Sequence, residues 1–356
     1  MLTLYPSNKL EHLSYLLQAV MSSSQQPILQ AKTVLVESTG MQHWLNLQLA
    51  EHAGIAMNID FPMPTRFVWQ LCRDILGHDK VPMQSTYKRE VMLWRIERLL
   101  SSDAFEQQDF EAALIDYWQE ESSATAEYKR VNISRLIADT LEQYLMFRPN
   151  WLLAWEKGES ILTVNSASAF SRDGSPRSQE PNKVALKHEA WQRWIWRELA
   201  KEEPNHPVRL QLLALEQLDK KSHLLPSEVY FFAINTMAPQ TLAFFNQIAE
   251  YTQIHFFHLN PCVDYWGDAV SDRTLAKQLQ QGRIDAWVEQ QSINPLLRNL
   301  GQQGKDLFNL LSQSSHYEIS AFDTDYPQQN SSYTLLHQIQ RDILQGEAGD
   351  ASQLMD

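Results

Sequence analysis

Residues 34–50 read VLVESTGMQHWLNLQLA. Three apolar residues, a small polar turn and an apolar repeat at helical spacing predict strand, turn and helix. A turn of this kind leaves free backbone N–H groups at a helix start, where phosphates of nucleotides and nucleic acids are bound. Here Glu37-Ser38-Thr39-Gly40 carries one glycine and no lysine, so an N-cap by serine or threonine is the plain structural reading. The functional reading has the hydroxyls of Ser38 and Thr39 hold a phosphodiester. Glu37 opposes that through like charge, unless it accepts from a base amino group instead.

Working outward, LTLY (2–5) reads as a strand, followed by Leu10, Leu13, Leu16, Leu17 and Val20 at helical spacing. TVLVES (33–38) is a second strand and 55–60 a third. FPMP (61–64) is a rigid connection into a helix with Phe67, Val68, Leu71 and Cys72. Strand character returns at VYFFAIN (229–235) and QIHFFHLN (253–260), with a helix over 239–250 between them, a βαβ-like unit. The stretch between is helical, with 3.6-residue periodicity at 91–100, 110–118, 133–147, 188–200 and 209–218. Residues 164–183 break it with Ser, Pro and Asn and read as a mobile surface loop. Beyond about 265 the chain reads as mainly helical and polar. The expected class is α/β, one parallel-sheet domain interrupted by an all-α helical insertion.

Composition narrows the function. A net charge of −13 over 356 residues excludes a protein that coats DNA through one broad basic face, but not a local groove. Cys72 and Cys262 stand far apart without ligand spacing, which predicts reduced thiols rather than a disulfide framework or structural zinc. Lys9, Glu11 and His12 interrupt the amino-terminal apolar pattern, and no run of 18 apolar residues exists. A soluble, cytoplasmic protein without membrane contact is expected.

Motifs of nucleotide chemistry are missing where the topology would place them. After the first strand a phosphate-binding loop needs several glycines and a lysine, and the slot is filled by PSNKLEHL (6–13). Lys9 alone reads as a solvated helix-start lysine. The strand VYFFAIN, which would end in carboxylates that hold magnesium, ends in Ile234-Asn235-Thr236. His255 and His258, three apart on a strand, face opposite ways and make no metal pair. Trp191, Trp194 and Trp196 beside Arg193 and Arg197 can stack bases, yet at helical spacing core packing is the stronger reading. Glu120-Glu121 and Glu202-Glu203 read as solvated faces. No catalytic residue, metal ligand or cofactor is assigned.

Six stretches, in order, resemble the amino-terminal third of the exodeoxyribonuclease V gamma subunit family, RecC: YPSNKLEHL, VLVESTGMQHWLNLQLAEHAGIAMNIDFPMPTRFVW, ADTLEQYLMFRPNWLLAWE, NPCVDYWGD, NPLLRNLGQQGKDLFNLL and LLHQIQRDIL. The resemblance covers nearly the whole chain and is weakest over 157–225. It implies the fold of an inactive superfamily 1 helicase, with a RecA-like domain 1A from 1–75 and 225–345, a 1B-like helical insertion from 76–224, and an interdomain tail over 346–356. It implies a non-catalytic scaffold in a RecBCD-type, ATP-dependent exodeoxyribonuclease, beside a RecB-type helicase–nuclease and a RecD-type helicase. The unwound 3′-ended single strand would thread past it while the recombination hotspot, Chi, is read during DNA repair.

Carried over by motif, the strand-contacting positions are Glu37, Thr39 and His43 at the opening turn, Met63 and Trp69 after the third strand, and Asp139, Thr140, Glu142 and Arg148 in ADTLEQYLMFRP. Trp69 and Met63 offer stacking or apolar surface, and Arg148 can bind phosphate or guanine. Asp139 and Glu142 share a helix face. Known relatives carry Gln at the positions of Glu37 and His43, and Leu at those of Met63 and Thr140. An arginine they place after a late histidine of the insertion has no clear match, His206 being followed by Pro207. Two rival classes stay open: a protein–protein platform without DNA contact, and an active ATP-dependent helicase.

Overall fold

The computed structural model describes residues 1–27, 29–108, 117, 118, 122–162, 183–280, 282, 285, 288, 290, 292–325 and 334–349. The chain divides into two compact units, Met1–Val68 with Lys220–Asp356, and Trp69–Asp219. Along the chain run β1 (Leu2–Ser7), α1 (Leu10–Ser23), β2 (Lys32–Leu35), α2 (Thr39–Ala53), β3 (Ile59–Asp60) and α3 (Pro64–Leu76). Helices α4 (Arg89–Leu100), α5 (Ser123–Phe147), α6 (Pro149–Glu156), α7 (Lys183–Glu202) and α8 (Pro207–Glu216) follow. Next come β4 (Glu228–Phe232), α9 (Pro239–Ile248), β5 (Gln253–Leu259), α10 (Asp272–Gln280), α11 (Pro295–Leu300), α12 (Gln302–Ser312), β6 (Tyr317–Glu318) and α13 (Leu335–Leu344).

The sheet has the order β3-β2-β4-β5-β1-β6 with every pair parallel, so all strands point their carboxyl ends to one edge. Its strands are near-continuous apolar runs because both faces are covered. On one face Tyr5, Tyr230, Phe232 and Phe257 meet Leu13, Leu17 and Met21 of α1 and Leu45 and Leu49 of α2. The alternate residue Phe231 stacks on Phe256 at 5.0 Å and meets Phe245 of α9 edge-on at 4.6 Å. Pro6 interrupts no ladder with β5. Its carbonyl accepts from Ala321 (2.9 Å), so the missing N–H falls on the outer, β6 side of β1.

The helical unit builds its own core. Met92, Ile96 and Leu100 of α4 face Ile137, Ala138, Leu141 and Leu145 of α5, joined by Trp155 and by Ile195, Trp196 and Leu199 of α7. Trp196 is fully buried, and Trp191 and Trp194 lie partly buried against this core. Glu202, read as solvated, pairs with Arg95 at 3.3 Å and with Arg98.

Several boundaries differ from the sequence reading. The third strand shrinks from six residues to Ile59–Asp60 because Asn58 takes a left-handed conformation, φ 58°. The fourth ends at Phe232 because Ala233 turns left-handed, φ 48°. Helix α5 begins at Ser123, ten residues before the expected start, through a polar stretch with no apolar repeat to announce it. Strand β6 was not expected at all, having two residues and both exposed. Most of the 110–118 helix, the Glu120-Glu121 pair, the loop after 163 and the last residues of the tail lie outside the described residues.

Candidate nucleic-acid interface

The opening turn follows from its residues. Ser38 has extended backbone (φ −150°, ψ 158°), and its hydroxyl accepts from the Met41 N–H at 3.1 Å, capping α2. That hydroxyl is thereby committed. Gly40 has no positive φ, and a Cβ there would meet only Ser38 Oγ at 3.7 Å, so nothing local demands glycine. Thr39 and His43, one turn apart at the start of α2, are both exposed.

Glu37 is turned onto the neighbouring strand. Its Oε1 accepts from the backbone N–H groups of Asn235 (2.6 Å) and Thr236 (2.9 Å), just past β4. The strand that lacks terminal carboxylates therefore has one delivered by β2. The left-handed Ala233 two residues before stores local strain that these bonds help to hold. Val36 N–H donates to Pro62 O at 3.3 Å, which brings Met63, 48% exposed, to the same edge. The structure thus gathers Glu37, Thr39, His43 and Met63 at the carboxyl edge of β2 and β3. Asn235 and Thr236 belong to this group and were missed. The signal was a buried strand with no acid at its end.

The remaining positions lie in the helical unit. Trp69 on α3 is half-buried, and its indole N–H donates to Pro82 O at 3.1 Å. On α5, Asp139 sits 3.4 Å from Arg89, an ion pair without hydrogen-bond alignment. Thr140 Oγ1 donates back to Leu136 O at 2.8 Å. Glu142, three residues on from Asp139, is half-buried. Arg148 stands exposed at the α5–α6 junction, its guanidinium 5.5 Å from the Trp151 ring and donating to Phe147 O at 3.0 Å. Leu136 (57% exposed) and Phe147 (48%) flank Thr140 and Gln143 at spacings of four, three and four, a face of mixed apolar and polar residues out of phase with the buried Ile137-Leu141-Leu145. Sequence reading missed these two. Their phase was the available sign.

The α6–α8 part is fixed by buried polar groups. Glu189 accepts from Trp155 Nε1 (2.9 Å), Ser160 Oγ (2.7 Å) and the N–H groups of Ile161 (2.7 Å) and Leu162 (3.4 Å). His206 Nδ1 accepts from the Arg209 N–H (3.3 Å) and so caps α8, while its Nε2 lies 2.8 Å from Glu156 as an ion pair without hydrogen-bond alignment. Burial raises the Glu156 carboxyl, but His206 and Trp196 outweigh it and hold it below its usual range.

The β1–α1 junction differs from the opening turn. Asn8 and Asp323 bond reciprocally, Asn8 Nδ2 donating to Asp323 O (3.0 Å) and Asp323 N–H to Asn8 Oδ1 (2.8 Å). Lys9 pairs with the Asp323 carboxylate. On the neighbouring strand, His258 of β5 stands in register with Pro6. It is buried with neither ring nitrogen hydrogen-bonded, and burial lowers it to about 4. His255, on the other face, meets Tyr5 Oη at 3.1 Å and stacks on Tyr230. Burial pushes the Cys72 thiol up to about 12 and Cys262 up to about 11, which leaves neither as a nucleophile. Among the described residues no group of three or more His, Cys, Asp or Glu side chains is placed to hold a metal ion. No described helix is long and apolar enough to cross a membrane.

A family model, the RecC N-terminal domain, matches residues 2–346. The chain belongs to the RecC family. It is 30% identical to the RecBCD enzyme subunit RecC of Haemophilus influenzae over 388 aligned residues, covering 97% of this chain and 33% of that protein. The Escherichia coli K12 subunit of the same description is 30% identical over 379, covering 98% and 31%. A Buchnera aphidicola RecC from Acyrthosiphon pisum is 24% identical over 361, covering 96% and 29%. The chain therefore spans about a third of the length of these RecC relatives.

Proposed function

We propose that this chain is the amino-terminal portion of a catalytically silent, helicase-like scaffold subunit in a RecBCD-type helicase–nuclease of the bacterial cytoplasm. Its partners are a RecB-type helicase–nuclease and a RecD-type helicase, and it acts in homologous recombination and double-strand break repair. It binds the unwound 3′-ended strand and helps read Chi. The sheet-bearing unit corresponds to domain 1A, the helical unit to a 1B-like insertion, and 346–356 to an interdomain tail. Thr39, His43 and Met63 on one unit, with Trp69, Asp139, Thr140, Glu142 and Arg148 on the other, supply the strand's contacts. Glu37 shapes the first group by holding the β4 end.

One observation carries the silent reading: Asn8 and Lys9, where a triphosphate loop would stand, are engaged by Asp323 rather than framed by glycines. The exposed Thr39, His43 and Arg148 support strand contact, since a hydroxyl and an imidazole can bond base edges and a guanidinium can bind phosphate or guanine. The test is the reconstituted complex carrying Arg148→Ala or Thr39→Ala. Hotspot-dependent attenuation of cleavage falls about tenfold, as expected for losing a contact of about 1–3 kcal/mol, with the complex's ATPase unchanged. A second reading, a platform without DNA contact, is favoured by the intrachain bonds that already occupy Glu37, Trp69 and Asp139. Unaltered hotspot response in both variants would select it.

A further inference from the structure

Past β6 the backbone keeps running beside β1. Ile319 N–H donates to Leu4 O and Ala321 N–H to Pro6 O, each at 2.9 Å. Two residues later the run crosses the start of α1, where Asp323 meets Asn8 through the two reciprocal bonds and Lys9 through its carboxylate. Asp325 N–H donates to the other carboxylate oxygen at 3.0 Å, fixing the side chain's orientation. Lys9 N–H, meanwhile, donates to Ser7 Oγ at 3.2 Å. The Asp323 side chain is only 16% exposed, and the Lys9 hydrogen bond holds its carboxyl below the ordinary range. The ammonium, the amide side chain and the first backbone N–H at this junction, groups an anion would seek at the amino end of α1, all have partners from within the chain.

We propose that residues 319–325 are a built-in occupant of the β1–α1 slot, with Asp323 serving as the resident partner of Asn8 and Lys9 and thereby keeping polyphosphates out. This goes a step past the silent-scaffold reading and rests on it. Loss of glycines alone removes a good cradle, whereas a tethered carboxylate competes with any anion that arrives. The tether makes the competitor intramolecular, at an effective concentration a free polyphosphate must exceed. Strand pairing of 319 and 321 with β1 sets the register that delivers residue 323 to the slot, so the device is encoded in β6 as much as in the acid.

Backbone amide exchange on the full chain, with inorganic pyrophosphate as probe, tests this. In the unaltered chain, amides 319, 321 and 323 exchange slowly, and pyrophosphate at about 5 mM leaves exchange over 8–13 unchanged. In Asp323→Ala those three amides exchange at least about tenfold faster, as for a locally released segment, and pyrophosphate protects 8–13. Adding Lys9→Ala abolishes that protection. Asp323→Asn, which keeps the shape, moves exchange in the same direction by less. Pyrophosphate protection of the unaltered chain would overturn the proposal. So would an Asp323→Ala chain with unchanged exchange, or with released amides and no protection. None of these outcomes touches the strand-contact reading, which stands or falls on the hotspot response.

Discussion

At the β1–α1 junction Asn8 and Lys9 are held by Asp323, whereas at the β2–α2 junction Thr39 and His43 stand exposed and Glu37 turns inward onto Asn235 and Thr236. Both junctions lie at the carboxyl edge of one parallel sheet, where α/β folds bind ligands. Both begin a helix with free N–H groups. Their difference is what the rest of the chain brings to them. The first receives a carboxylate from residue 323 and closes. The second sends its own carboxylate sideways, which removes the like charge from in front of the helix start and leaves hydroxyl and imidazole facing outward. On the proposed reading, the first junction keeps anions out and the second offers a surface to a passing strand.

The largest effect expected concerns His258 of β5, in register with Pro6 of β1 on the sheet face away from α1. His258 is neutral and buried, with its proton affinity lowered to about 4 from 6.5. The unfolded chain binds the extra proton between those values, so stability is fully present above about 6.5 and is lost as pH falls toward 4. The loss reaches about 3 kcal/mol at most, from 1.36 kcal/mol per unit. Urea unfolding at pH 7 and pH 4.5 reads it, and His258→Leu flattens the dependence. An equal slope in that variant would place the acid sensitivity elsewhere.

Next is the inward carboxylate. Glu37→Ala leaves the N–H groups of Asn235 and Thr236 without their acceptor, and we expect a loss of about 1–2 kcal/mol in urea unfolding, near the lower end because both residues are exposed. Glu37→Gln, which keeps one oxygen, falls between. Ser38→Ala removes the α2 cap and costs about 1 kcal/mol. Gly40→Ala is the smallest: with ordinary φ and 3.7 Å of clearance, it changes stability by about 0.5 kcal/mol or less, toward stabilisation. A large loss would mean that the turn needs glycine as a phosphate cradle does, and the contrast between the junctions would blur.

Much of this was legible in residues 34–50 and their flanks. The strand–turn–helix, the cap by Ser38, the parallel βαβ return and the helical insertion follow from local pattern, because buried strands and amphipathic helices write their periods into the chain. Where a strand stops was harder to read. Ala233 and Asn58 take left-handed backbone that alanine, above all, does not advertise. The 123–132 part of α5 is polar and carries no apolar phase. The Asp323–Asn8 clasp joins residues 315 apart, and Glu37's bonds cross 198 and 199 positions. Neither leaves a trace in any window of sequence. The absence of glycines announced that the slot was poor for phosphate, but what fills it had to be seen.

The divergence of the two junctions is tested most directly by photo-crosslinking in the reconstituted complex during unwinding. A photoreactive residue replaces His43 beside the open junction in one chain and Glu11 beside the closed one in another. The account predicts crosslinks to the 3′-ended strand from position 43 and none from position 11. Crosslinks from position 11 alone, or an ATP analogue captured there, would contradict it.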